Sequence, residues 1–123
     1  LASLAAGIAW AKRSGARHLL TIPCDAPFLP HDLARRLQAR LETSSAAIAM
    51  PASHGRLHPS SALWRVCVLD QLPHYLSSKR RSLIGLTEHA GYAVEDWGAP
   101  ERDPFFNVNT PEDLAAAERL IAN

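Results

Sequence analysis

Leu1, Leu4, Ala5, Ile8 and Ala9 fall at helical spacing, and the pattern predicts a helix over residues 1–13. Ser14-Gly15 ends it, with Gly15 at the left-handed position that closes many helices. The apolar run that follows predicts a first strand over 17–22. Pro30 then opens a second helix in which Leu33, Leu37 and Leu41 stack at i, i+4 and i+8, while Arg35, Arg36 and Arg40 take the wetter side. Residues 46–50 form a short buried strand. A polar turn over 51–55 and an extended stretch over 56–59 follow.

In the second half, Ser60 or Ser61 is expected to cap a third helix over about 62–70, with a break and restart at Pro73. Another helical stretch follows Lys79-Arg80-Arg81 and runs to Ala90, where Gly91 closes it. Residues 92–97 alternate as a strand does, and 105–108 are a short strand. Thr110-Pro111-Glu112-Asp113 starts the last helix: a threonine cap, proline in the first position and acids against the dipole. Leu114, Ala117, Leu120 and Ile121 are its expected buried face. Strands alternating with helices in short units imply an α/β fold, a mostly parallel sheet with helices on both faces. No repeat, low-complexity tract or linker divides residues 1–123, so they are one domain.

Composition narrows the classes of function. Of the 123 residues 47% are apolar and 20% charged, as in ordinary globular proteins, and the formal charge is +1. No broad field therefore draws the molecule to nucleic acid or an anionic membrane. No apolar run approaches the ~18 residues of a spanning helix. Cys24 and Cys67 are far apart and form no CxxC pair, which reads as reduced thiols in a cytoplasmic protein. Cys24 is expected to be a small buried residue, and Trp10, Trp64 and Trp97 to be core. A helix that begins at Leu1 without a capping residue leads us to expect a piece of a longer chain.

Candidate chemistry concentrates in two places. Asp25 follows the first strand, in a turn stiffened by Pro23 and Pro27. Ligands of open α/β sheets bind beyond the carboxyl ends of the strands. A lone carboxylate there suits Mg²⁺, which takes one or two carboxylates and fills its other positions with water and phosphate oxygens. The alternative is a polar turn residue that caps the next helix. Asn107 and Asn109, one residue apart before a helix N-terminus, offer neutral oxygen ligands or amide donors for phosphate. They could equally satisfy turn backbone groups. His54 and His58 have an i, i+4 metal spacing, but Gly55 and Pro59 argue against a helix there. Lys79-Arg80-Arg81 is either an anion contact or a solvated face.

Three segments together carry a resemblance: Leu19-Leu-Thr-Ile-Pro-Cys-Asp-Ala-Pro-Phe-Leu-Pro30, then Arg56-Leu-His-Pro-Ser-Ser-Ala-Leu-Trp64, then Asn107-Val-Asn-Thr-Pro-Glu-Asp-Leu114. In order and spacing the chain resembles the bacterial molybdenum cofactor guanylyltransferase family over essentially its whole length. The resemblance implies a Rossmann-like GT-A nucleotidyltransferase that moves GMP from GTP, with Mg²⁺ or Mn²⁺, onto the phosphate of molybdopterin-bound molybdenum and releases pyrophosphate. It implies Asp25 as the metal- and nucleotide-binding aspartate and Asn109 as a second metal contact. Asn107, Arg56, His58, Lys79 and Arg80 are candidates for the pterin and its phosphate. It also implies transient contact with molybdenum insertion proteins and molybdoenzyme chaperones, and no nucleic-acid or membrane partner. The family opens with a glycine-rich loop and a lysine that hold the nucleotide. Leu1-Ala-Ser-Leu-Ala-Ala-Gly7 resembles only the tail of that region, so this polypeptide alone is expected to be inactive. A sister transferase using CTP and a non-catalytic pterin- or partner-binding protein are the other readings.

Overall fold

The computed structural model describes residues 1–122, which form helices and strands of an α/β fold. The order is α1 (Ala2–Arg13), β1 (His18–Leu20), α2 (Leu33–Glu42), β2 (Ile48–Ser53), β3 (Arg56–Leu57), β4 (Leu63–Arg65), α3 (Leu72–Ser77), α4 (Leu83–Ala90), β5 (Tyr92–Asp96) and α5 (Pro111–Ala122). Two 3-10 turns, Pro59–Ser61 and Val66–Gln71, flank β4.

All six residues of β2 are buried, and it has neighbours along both edges. β5 runs parallel to it from Ile48↔Tyr92 to Ala52↔Asp96. The opposite edge is shared in succession. β4 pairs antiparallel with its start (Ile48↔Trp64), and β3 pairs antiparallel with its end (Ser53↔Arg56). β1 lies outside β4, again antiparallel (His18↔Arg65). The sheet is therefore mixed, with only the β2–β5 pairing parallel, where the alternation alone suggested a mostly parallel one. The cause is local. His54 (φ 50°) and Gly55 (φ 72°) both take the left-handed conformation of a two-residue hairpin turn, so the chain doubles back instead of crossing over through a helix.

Several expected elements are moved by packing. Pro51, Ala52 and Ser53 belong to β2 and not to a polar turn; the carbonyl of Pro51 accepts from the His58 N–H at 2.9 Å, so the residue still contributes to pairing. Residues 62–70 are not a helix. Leu63 packs with the α2 leucines and Trp64 with α1, so β4 is covered on both faces and shows no in–out alternation. The Ser61 N–H donates to the His58 carbonyl within a 3-10 turn, and no serine caps a helix there. Residues 105–108 form no strand. On α5 only Ala117 of the expected face is buried; Leu114, Leu120 and Ile121 are 51%, 38% and 68% exposed. Trp10 is exposed as well, while Trp64 is buried and Trp97 half-buried.

Ile48 and Ala49 point to opposite sides of the sheet, and each side has its own core. On one, Leu4 and Ile8 of α1 meet Trp64, Val68, Tyr75 and Leu86. On the other, Leu33, Leu37 and Leu41 of α2 cover Ala49, Leu63 and Phe105. Between them these layers hold the ends of β1 and β2, from which the candidate site is built.

Candidate functional site

Past β1 the chain stays against β4: the Thr21 N–H donates to the Ala62 carbonyl at 3.0 Å. It then turns through Pro23-Cys24-Asp25-Ala26-Pro27. The Asp25 carbonyl accepts a 2.7 Å hydrogen bond from the Val108 N–H. That bond joins two segments far apart in the sequence and places Asp25 against the Asn107–Asn109 stretch. Asp25 is half-buried, and among the described residues none donates to its carboxylate. It does not cap the following helix, whose N-terminal flanking residue is Asp32. Cys24 beside it is exposed, contrary to expectation, because the turn presents it outward. A cavity of about 310 Å³ opens here between Asp25, Val108 and the exposed apolar residues Leu114 and Ile121 of α5.

A second cavity, about 370 Å³, collects four expected site residues: Arg56, His58, Asn107 and Asn109. The hairpin turn brings in the first two. The second two arrive on the coil before α5. That coil is pinned by the helix start: Thr110 Oγ1 accepts from the Asp113 N–H at 3.0 Å, and Asp113 Oδ2 accepts from the Asn109 N–H at 3.1 Å. The first bond satisfies a first-turn donor that the helix would leave unpaired, and the second ties the residue before the cap to the same turn.

Asp103 also lines this cavity and Ser53 lies buried behind it, and neither stood out in the sequence. Ser53 Oγ donates to Asp103 Oδ1 at 2.7 Å and lies 2.7 Å from His58 Nε2. The same Asp103 oxygen accepts from the Phe105 N–H at 3.0 Å, and the Phe105 ring stacks on His58 with centroids 4.6 Å apart. Burial pushes the His58 pKa below its ordinary value; Asp103 and Ser53 pull it up, while Arg56 and His54 push it down. The available signal was a buried polar residue closing an apolar strand, which has to find partners.

Other candidates lie elsewhere. Lys79 and Arg80 occupy the connection between α3 and α4 and line neither cavity. Arg80 reaches Glu88 at 3.2 Å and stands 5.6 Å over the Tyr75 ring. His54 Nε2 donates to the Pro100 carbonyl at 2.8 Å, away from the His58–Ser53 contact, so the two histidines are not a ligand pair. Among the described residues no three His, Cys, Asp or Glu side chains converge as a metal cage. The backbone bond joins their segments, but Asp25 and the two asparagines line separate cavities, Asp25 that of about 310 Å³ and Asn107 and Asn109 that of about 370 Å³. A single unbonded carboxylate fits a hard, largely hydrated cation that shares its remaining positions with phosphate.

The family model of the MobA-like NTP transferase domain matches residues 1–91. The molybdenum cofactor guanylyltransferase of Bradyrhizobium sp. (strain ORS 278) is 41% identical over 125 residues, which covers 99% of this chain and 59% of that protein. That of Rhodopseudomonas palustris (strain HaA2) is 44% identical over 124 residues, covering 98% and 58%. The chain thus spans about three fifths of the length of these curated relatives. Among solved structures, molybdopterin-guanine dinucleotide biosynthesis protein A from Archaeoglobus fulgidus superposes with a TM-score of 0.71 at 20% identity, covering 94% of this chain and 60% of that one. The 2-C-methyl-D-erythritol 4-phosphate cytidylyltransferase of Thermus thermophilus superposes at 0.56 with 21% identity, covering 94% and 69%. At such identities the two structures establish a shared fold.

Proposed function

This chain belongs to the MobA-like NTP transferase domain family, and from that premise we propose that it forms the metal and acceptor part of a molybdenum cofactor guanylyltransferase. In the reaction we propose, an oxygen of the molybdopterin phosphate attacks the α-phosphorus of GTP. A new P–O–P link forms, the bond to the β-phosphate oxygen breaks, and pyrophosphate leaves with the electron pair. The observation that carries this reading is the 2.7 Å bond from the Val108 N–H to the Asp25 carbonyl, which joins the Asp25 turn to the main chain of the Asn107–Asn109 coil.

Both reactants are anions, so the work of the protein is positioning and charge neutralisation. Asp25, with Asn109 as a second contact, would hold Mg²⁺ or Mn²⁺, which supplies positive charge to the phosphates. Arg56 faces the cavity of about 370 Å³ and would take the acceptor's phosphate, with Asn107 and His58 against the pterin. Lys79 and Arg80 stay outside this arrangement. The nucleotide phosphates would be held by a glycine-rich segment in the part of the relatives' length that this chain does not span. We place the protein in the cytoplasm, where GTP is at hand and exposed thiols such as Cys24 and Cys67 stay reduced. No helix among the described residues is long and apolar enough to cross a membrane.

The test is a fusion that supplies the remaining part of the Bradyrhizobium relative, assayed for labelled GMP transfer onto molybdopterin. Transfer from GTP by the fusion, and none by the 123-residue chain alone, is the expected result. Transfer from CTP in preference to GTP would reassign the nucleotide, and no transfer from either would overturn the reading.

A further inference from the structure

Ser53 is fully buried at the end of β2, and its hydroxyl has a partner on each side. A hydroxyl carries one proton. A carboxylate only accepts, so that proton goes to Asp103, and the Ser53 oxygen is left to accept from His58 Nε2. The imidazole proton therefore sits on Nε2. In the neutral ring Nδ1 keeps its lone pair, and no described residue donates to it. Stacking on Phe105, itself tied to Asp103 Oδ1, fixes the ring plane through the same carboxylate. Asp103, Arg56 and His54 are the charged and titratable groups acting on the ring, and burial outweighs the pull of Asp103.

We propose that Asp103 and Ser53 are positioning residues that lock His58 in its Nε2–H tautomer, so that Nδ1 accepts a hydrogen bond from the ring N–H or amino group of a flat nitrogen heterocycle in the cavity. The heterocycle is a pterin if the function proposed above holds, and this inference rests on that reading for the identity of its ligand. His58 is then a neutral acceptor for the ring, and Arg56 alone meets the anionic group. A protonated His58 would offer two donors and reject the same edge.

The tautomer is measurable in the 123-residue chain by nitrogen NMR of ¹⁵N-histidine-labelled protein at about pH 7.5, with the His58 signals assigned from their loss in His58→Gln. The expected result is a proton on Nε2 and a bare Nδ1. Ser53→Ala cuts the relay, leaves the Asp103–Phe105 contact in place and releases a mixture of tautomers. Asp103→Asn, which keeps an oxygen acceptor, retains the Nε2–H form. Added 6-hydroxymethylpterin phosphate moves the Nδ1 signal while inorganic phosphate alone does not, and Ser53→Ala weakens binding of that pterin about tenfold, the value of one hydrogen bond. A proton on Nδ1 in the unaltered chain, nitrogen signals indifferent to Ser53→Ala, or an Nδ1 unmoved by the pterin would each overturn the proposal. Failure of GMP transfer by the fusion while Nδ1 responds would count against the proposed reaction alone.

Discussion

Trp64 donates its indole N–H to Thr21 Oγ1 at 3.0 Å, tying the buried tryptophan of β4 to the residue where β1 gives way to the Asp25 turn. Thr21 completes the link with two bonds to the Ala62 carbonyl, at 3.0 Å from its N–H and 3.3 Å from its hydroxyl. Thr21→Val keeps the shape and removes the acceptor, which leaves a buried indole N–H unpaired. The expected cost is about 1–3 kcal/mol of unfolding free energy, read from urea denaturation followed by tryptophan fluorescence. A midpoint equal to that of the unaltered chain would show that the bond contributes nothing.

Arg36 ties α2 to the opposite edge of the sheet. Its guanidinium meets Glu95 at 2.7 Å, donates to the Asp96 carbonyl at 3.1 Å and lies 4.0 Å from the centre of the Trp97 ring. Both charged side chains are mostly covered, at 30% and 25% exposed, so screening is incomplete. A double-mutant cycle with Arg36→Met and Glu95→Gln should give a coupling of about 1 kcal/mol, weaker at high salt. Arg36→Met should cost more than Glu95→Gln, because only the arginine also covers the indole.

What the sequence made legible follows from which interactions are local. The α2 leucines, the Gly15 and Gly91 stops and the Thr110 cap rest on contacts within a turn or two, and each is found where its pattern places it. β4 was not legible, because a short strand covered on both faces has no periodicity to separate it from a buried helix. The hairpin at His54-Gly55 was hidden by Pro51, whose missing N–H argues against a strand until the His58 partner of its carbonyl is known. The exposed face of α5 was misread because helical spacing reports an apolar stripe and not what covers it. Asp25 and the asparagines stood out by residue type and position. Ser53 and Asp103 did not, since their role depends on a hydrogen bond spanning 50 residues.

Histidine burial makes stability depend on pH. Burial, the largest cause in both, lowers the pKa of His58 and of His18 below the ordinary 6.5; at His18 the nearby Arg65 adds to it. A lowered pKa means that the unfolded chain binds the proton more readily, so stability rises with pH across this window. The contribution is present in full above about 6.5 and is lost as pH falls towards the folded-state values. His58→Gln removes one of these groups and keeps a side-chain donor for Ser53. Denaturation midpoints measured from about pH 7.5 to about 5.5 should therefore fall less steeply in this variant than in the unaltered chain, and parallel curves would refute the assignment.

The Asp25 carboxylate separates function from stability. Its main-chain carbonyl makes the bond to Val108, whereas no described residue bonds its side chain. Asp25→Asn keeps the volume and the backbone bond and removes only the charge. Unfolding free energy should change by no more than about 0.5 kcal/mol, as for a substitution that breaks no internal contact. GMP transfer by the fused protein should fall by at least about a hundredfold, because a neutral amide cannot hold a hard cation against water, and the phosphates then repel one another unscreened. Asn109→Ala should do less, since it removes a neutral ligand that water can replace. Raising Mg²⁺ should restore part of the Asn109→Ala rate and little of the Asp25→Asn rate. An Asp25→Asn fusion as active as the unaltered one would remove this residue from the site, and with it the reason to read the Asn107–Asn109 coil as a phosphate-facing wall.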